Sequence, residues 1–239
     1  MQRLLDTATD LVADDDPARA RMLTLLRRAD ASAAPYVSAW PGARGRPPAA
    51  GEHWATWHVD GERALLVQLA PRQRDDTDVD VYLVCSDSTL RRLRPRGCLR
   101  FRRRTSDTKS NFPTVVLDGT LAVRRERLVF AARSCLWTSR CYHGAVDSQV
   151  QRALHARAFV EHVFERDRIL ELDRASSPLD LVYVPLQSPT QLASVSAKTR
   201  PLALDGLAVS GVDYWPGSGL HVVGADPNAF TERDATSLR

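Results

Sequence analysis

Six residues, His58-Val59-Asp60-Gly61-Glu62-Arg63, put an imidazole, two carboxylates and a guanidinium on either side of a glycine. A histidine can carry a phosphoryl or nucleotidyl group as a phosphoramidate, and an arginine beside it can hold phosphate oxygens through two parallel hydrogen bonds. Two further acidic-glycine elements follow, Leu117-Asp118-Gly119 and Leu204-Asp205-Gly206-Leu207. One Asp-Gly dipeptide is a turn signal and nothing more. Three of them, each joined to a β-rich run, outline a polar site carried on strands. A lysine nucleophile is poorly placed for such a site, because the only two lysines are Lys109 and Lys198. The other chemical cluster is cationic: residues 91–104 hold eight arginines, interrupted by Pro95 and Gly97. Arg100, Arg102, Arg103 and Arg104, with Phe101 between them, suit an RNA backbone, whereas a solvated loop in an arginine-biased chain is the plainer alternative.

The elements that must position these groups read as follows. Residues 1–30 are expected to be helical, with Asp16-Pro17 as N-cap and first turn and Met22, Leu23, Leu25 and Leu26 as the apolar stripe. Prolines and glycines from Pro35 to Gly51 mark an irregular passage. Strands are predicted over 54–58, 64–69 and 79–84, and a hairpin over 115–123 and 127–132 turns near Arg124-Arg125-Glu126. The spacing of Val150, Leu154, Ala158 and Val163 predicts an amphipathic helix over 147–168. A strand at 179–184, a helix at 189–197 and strands around Val209, Val212 and Val222 complete the chain. Trp54 and Trp57 are expected on opposite sides of their strand, one of them in the core, and Trp137 reads as a core residue.

Composition narrows the classes. At 239 residues, 44% hydrophobic and 26% charged, the chain can build one substantial globular core. A net charge of +4 permits an anionic partner without demanding one. Cys85, Cys98, Cys135 and Cys141 show neither C-x-x-C spacing nor companion histidines, so no zinc site or disulfide framework is expected. His155 and His162 are expected to be surface or packing residues. No apolar run approaches a membrane span, and the opening residues are too acidic for a secretory signal. The expectation is a soluble intracellular protein of cytoplasm or nucleus, with no cofactor and no metal.

The order of the three acidic-glycine elements resembles that of motifs I, III and IV in the covalent nucleotidyltransferases, the mRNA guanylyltransferases and polynucleotide ligases. His58 stands where that family has its lysine, and Thr120 where the third motif usually has glutamate. The terminal lysines are replaced by Leu220-His-Val-Val-Gly-Ala-Asp-Pro227. A closer resemblance is to the snurportin-like cap-binding domains, non-catalytic relatives of the same enzymes. It rests on Ser38-Ala39-Trp40, Gly61-x-Arg63, Arg103-Arg104-x-Ser106 with Leu117-Asp118, and Cys135-Leu136-Trp137. It continues through Pro189-x-x-Leu192-x-x-Val195, Pro201-x-x-x-Asp205-Gly206-Leu207 and Tyr214-x-Pro216-Gly217-Ser218.

The resemblance implies an α+β nucleotidyltransferase fold, antiparallel sheets flanked by helices. Residues 1–34 would form an N-terminal helical segment, 35–227 the cap-binding domain and 228–239 a tail. It implies that Trp40 stacks on a methylguanine base and that Ser38, His58, Asp60, Arg63, Asp118 and Asp205 lie at the nucleotide. Gly224-Ala225 replaces the family's second stacking tryptophan, for which Trp215 is the substitute; a family lysine near Tyr82–Val84 is also absent. The implied partner is a capped RNA or guanine nucleotide, with ribonucleoprotein or nuclear-import partners. An import arm would use Arg19, Arg21, Arg27 and Arg28, though a packing helix explains them more simply. The alternatives are a guanylyltransferase-like enzyme with a His58 nucleophile, and a structural subunit of a ribonucleoprotein.

Overall fold

The computed structural model describes residues 1–29, 54–69, 80–87, 89–94, 114–139, 149–161, 179–187, 204, 206–215 and 221–223. In chain order the elements are α1 (Gln2–Ala8), β1 (Thr9–Leu11), α2 (Pro17–Ala29), β2 (Trp54–Val59), β3 (Glu62–Leu69), β4 (Asp80–Cys85) and β5 (Leu90–Leu93). They continue with β6 (Val115–Arg124), β7 (Arg127–Thr138), α3 (Gln149–Ala158), β8 (Leu179–Tyr183), β9 (Val209–Trp215) and β10 (His221–Val223). The architecture is mixed α+β and mostly strand. Seven strands pair in the order β1-β5-β4-β3-β6-β7-β8, and three in the order β10-β9-β2. Every pairing is antiparallel except β7 with β8.

The central strands are nearly continuous apolar runs because both faces of the large sheet are covered. Alternation along β3 divides them: Ala64 and Leu66 enter one core, Leu65 and Val67 the other. On the first face α1 supplies Leu5 and Ala8, and the α3 segment supplies Ala156, Phe159 and Val160, against Leu83, Leu117 and Phe130. On the second face α2 covers one end, with Met22, Leu25 and Leu26 against Leu65, Tyr82 and Val116. The small sheet covers the other end, where Trp57 and Val59 meet Ala122, Val129 and Ala131 beside Leu204 and Leu207. Trp57 is thus the core tryptophan of its pair, while Trp54 lies outside the residues whose side chains are described.

Most predicted elements fall where the sequence puts them, and the exceptions have physical reasons. Asp16 does cap α2, its Oδ1 accepting from the Ala18 amide at 2.8 Å. Residues 1–30 are not one helical stretch, however. Thr9 turns its hydroxyl back to the Leu5 carbonyl at 2.7 Å, α1 ends, and Thr9–Leu11 pair with β5 at the sheet edge. The hairpin β6–β7 closes at Arg125-Glu126, both at positive φ (49° and 62°), the conformation a two-residue hairpin turn demands. β7 runs six residues further than predicted. Its neighbour β8 is parallel to it, with Asp180 bound by Arg124 at 3.1 Å and Arg127 at 3.2 Å. The 147–168 helix is described over Gln149–Ala158 with a π-type turn through 161; His162 and the 189–197 helix lie outside the described residues. Among the described residues, no helix is long and apolar enough to cross a membrane.

Candidate functional site

Between the two apolar clusters on the second face lies a polar strip. Arg63 of β3 and Asp118 of β6 form its centre, the Arg63 Nε donating to Asp118 Oδ1 at 3.0 Å across 55 residues of sequence. The Asp118 side chain is 5% exposed and that of Arg63 22%, so the pair is largely out of water. Thr120, opposite Arg63 in register, is 3% exposed. Ser134 of β7 stands opposite Asp118 and is 1% exposed, its hydroxyl without a protein hydrogen-bond partner. Arg133, the extra residue of the bulge between Ala132 and Ser134, is 2% exposed. Buried polar groups are normally paired within the fold, so a strip of five inside an otherwise apolar interface is a functional candidate.

The two acidic-glycine elements described in full meet here. Gly119 is opposite Ala64 in register, and the Asp60-Gly61 turn presses on β6. A methyl added at Gly61 would run into the Leu121 carbonyl oxygen and come within 2.8 Å of the Thr120 methyl. One added at Gly119 would meet the Ala131 carbonyl and, at 2.8 Å, the Phe130 ring. Both glycines are therefore required by close packing. Asp60 itself is exposed, and its amide donates to the Ala208 carbonyl at 3.0 Å. His58 is half-buried in β2, opposite Gly211 of β9 and on the small sheet rather than the large one. Trp57 and Val59 turn toward the large sheet, so strand alternation carries His58 to the other face of β2.

Of the remaining expected site residues, Trp215 lies in β9 opposite Trp54, with its side chain outside the described residues. Ser38, Trp40, Asp205, Arg100, Arg102, Arg103 and Arg104 lie outside the described residues, as do Lys109 and Lys198. The arginine-rich stretch is partly accounted for by the fold. Arg91 binds Asp6 at 2.9 Å and Arg94 binds Asp10 at 3.1 Å. Arg92 binds Asp16 at 2.9 Å while its guanidinium sits over the Tyr82 ring, 5.2 Å from the centroid. Burial pushes the Tyr82 phenol above its ordinary value, and the Asp80 charge adds to the rise. These three arginines fasten the N-terminal segment to β5.

Sequence reasoning passed over Arg133 and Ser134. Their signal was present: a polar dipeptide interrupts Leu128-Val-Phe-Ala-Ala and Cys135-Leu136-Trp137 in one strand. Chemically the strip offers a carboxylate, hydroxyls and guanidinium groups, which suits recognition by hydrogen bonding. Among the described residues no three histidine, cysteine or acidic side chains cluster as metal ligands. No protein-family model matches the chain, and no curated protein matches it.

Proposed function

We propose that this chain is a non-catalytic, nucleotidyltransferase-like domain that binds the capped 5′ end of an RNA through a guanine nucleotide. The observation that carries the reading is the Arg63–Asp118 ion pair, which joins the first and second acidic-glycine elements on adjacent strands. Two sheets packed through the apolar cluster of Trp57 and Val59, with the polar strip beside it, support a nucleotidyltransferase-like architecture, as does the ordered motif set. The lysine that would carry a covalent nucleotide is replaced by His58, a residue of the other sheet. Binding rather than transfer follows from that replacement. In this reading Trp40 stacks on the positively charged methylguanine, gaining from π overlap and cation–π attraction, with Trp215 as the second ring. Ser38, Asp205 and the Arg63–Asp118 pair provide polar contacts, and Arg100, Arg102, Arg103 and Arg104 hold the phosphates.

The test is a tryptophan-fluorescence titration with trimethylguanosine, monomethylguanosine and unmethylated cap dinucleotides, on the wild type and Trp40→Ala. Saturable quenching that favours a methylated cap and is weakened at least tenfold by Trp40→Ala is expected. An unchanged affinity in the variant removes the stacking role, and no response to any dinucleotide overturns the reading. Incubation with radiolabelled GTP and magnesium is expected to leave no acid-labile protein adduct; an adduct lost in His58→Ala would establish the enzyme instead.

A further inference from the structure

Ser134 carries an unmet demand within the polar strip. It is 1% exposed, and its hydroxyl is closed to solvent and has no hydrogen-bond partner, a costly condition for a buried polar group. β6 and β7 pair through Leu117 with Cys135 and through Asp118 with Ser134. Leu117 and Cys135 enter the first-face core, so alternation turns Asp118 and Ser134 together to the second face. Two bulges bracket these pairs, because Arg133 and Leu136 of β7 have no opposite residue in β6. Bulges re-aim side chains and are over-represented beside functional sites. Opposite residues hold their Cβ atoms about 5 Å apart, so rotation of the Asp118 side chain brings its carboxylate to the Ser134 hydroxyl. In the structure that carboxylate is turned to Arg63 instead, whose Nε donates to Oδ1 at 3.0 Å.

We infer that Ser134 is a positioning residue for ligand binding, receiving the Asp118 carboxylate when a ligand phosphate draws Arg63 away from it. The inference rests on the nucleotide reading proposed above and adds to it a phosphate contact at Arg63. The Arg63 side chain is 22% exposed and that of Asp118 5%, so an anion arriving from solvent meets the guanidinium first. A guanidinium has five N–H groups and takes a phosphate through two of them without giving up every other contact. Phosphate and Asp118 together are another matter. They are like charges on one guanidinium, in a place largely out of water where repulsion is poorly screened. The conflict is relieved if the carboxylate turns to a donor of its own. Because the Ser134 hydroxyl is closed to solvent, that partner comes from inside the protein, and across the register it is Asp118. A hydroxyl donating to a carboxylate makes a short, charge-assisted hydrogen bond, which offsets part of what Asp118 loses. Arg133, beside Ser134, already has interactions of its own. A ligand without phosphate leaves Arg63 with Asp118 and makes no call on Ser134.

Ser134→Ala removes a single oxygen and tests the inference in the full chain. Its urea midpoint is expected to stay level or rise, because the hydroxyl has no partner in the free protein. In calorimetric titration it is expected to weaken guanosine 5′-diphosphate at least about fivefold and guanosine less than about twofold. A purely structural role would lower the midpoint and weaken both ligands alike, which overturns the inference. A second test needs no ligand. Arg63→Met withdraws the guanidinium permanently, so Asp118 passes to Ser134 in the free chain. Ser134→Ala should then lower the folding equilibrium constant at least about fivefold in the Arg63→Met background and not in the wild type. Additive effects overturn the inference, whatever the chain binds. Diphosphate affinity unchanged by Ser134→Ala, in a chain that binds it, also overturns the inference and leaves the nucleotide reading intact. A wild type that binds neither ligand, with the two positions coupled, overturns the nucleotide reading and keeps the exchange of Asp118 to Ser134. Should Arg63→Met fail to fold, the Ser134→Ala titration decides, and absence of diphosphate binding by the wild type then overturns both.

Discussion

Arg63 and Asp118 hold opposite charges in a place where an unpartnered charge is costly. Removing one partner of a buried pair costs about 3–5 kcal/mol, whereas replacing both by apolar groups is often close to neutral. Arg63→Met strands a carboxylate whose side chain is 5% exposed, so a loss of about 3 kcal/mol is expected in urea unfolding. Adding Asp118→Leu should recover part of it; a double variant as unstable as the sum of its single changes would show that the two residues are not coupled. Cys85 makes a different statement about burial. It is 3% exposed, and desolvation raises its thiol from the ordinary 9.0 to about 11, with the nearby Glu62 and Asp87 charges adding to the rise. Below pH 9 the folded and unfolded chains both hold this proton. Above it the unfolded chain releases the proton first, so stability falls with rising pH until the folded thiol ionises near 11. The expected slope is about 1.4 kcal/mol per pH unit in that window. Cys85→Ala should flatten the profile there by about that amount, and an identical slope in the variant would assign the effect to other groups.

At the scale of elements, the N-terminal segment shows how charge and cap share the work. Asp16 caps α2 through Oδ1 and binds Arg92 through Oδ2. Asp16→Ala removes both, with an expected cost of about 1–3 kcal/mol, most of it from the cap. Asp16→Asn keeps an oxygen for the Ala18 amide, so it should lose well under half as much; equal losses would place the whole effect in the ion pair. The cap was legible in the sequence because Asp-Pro before an apolar stripe is a local signal. β1 was not. Three residues are too few for periodicity, and Thr9–Leu11 become a strand only because β5 presents an open edge and three arginines opposite Asp6, Asp10 and Asp16. β6, β7 and the turn between them were legible, since two apolar β-rich runs flank a short polar break. The parallel β8 was legible as a strand and illegible as a partner.

For the whole molecule, the division of the arginines sets how RNA affinity should respond to salt. Arg91, Arg92 and Arg94 are engaged with the N-terminal acids, so the phosphate contacts of the proposed function fall to Arg100, Arg102, Arg103 and Arg104. Changing Arg102, Arg103 and Arg104 to glutamine should lower the slope of log affinity against log salt by about 2, taking about 0.7 per single-strand phosphate. Arg92→Gln should lower stability and leave the slope unchanged; a reduced slope would mean that the N-terminal segment releases β5 when RNA binds. By itself the sequence determined the strand-rich α+β class, the hairpin, the α2 cap and the order of the acidic-glycine elements. The strands, the hairpin and the cap are each written in residues within a few positions of one another, as alternation, a turn dipeptide or a cap. Tertiary structure alone decided that Arg63 would meet Asp118, that Arg133 and Ser134 would join their strip, that His58 would fall on the other sheet and that Arg91 would be taken by Asp6. The reason is separation: the paired groups lie 55 and 85 residues apart, and only the order in which the strands assemble brings them within hydrogen-bonding reach.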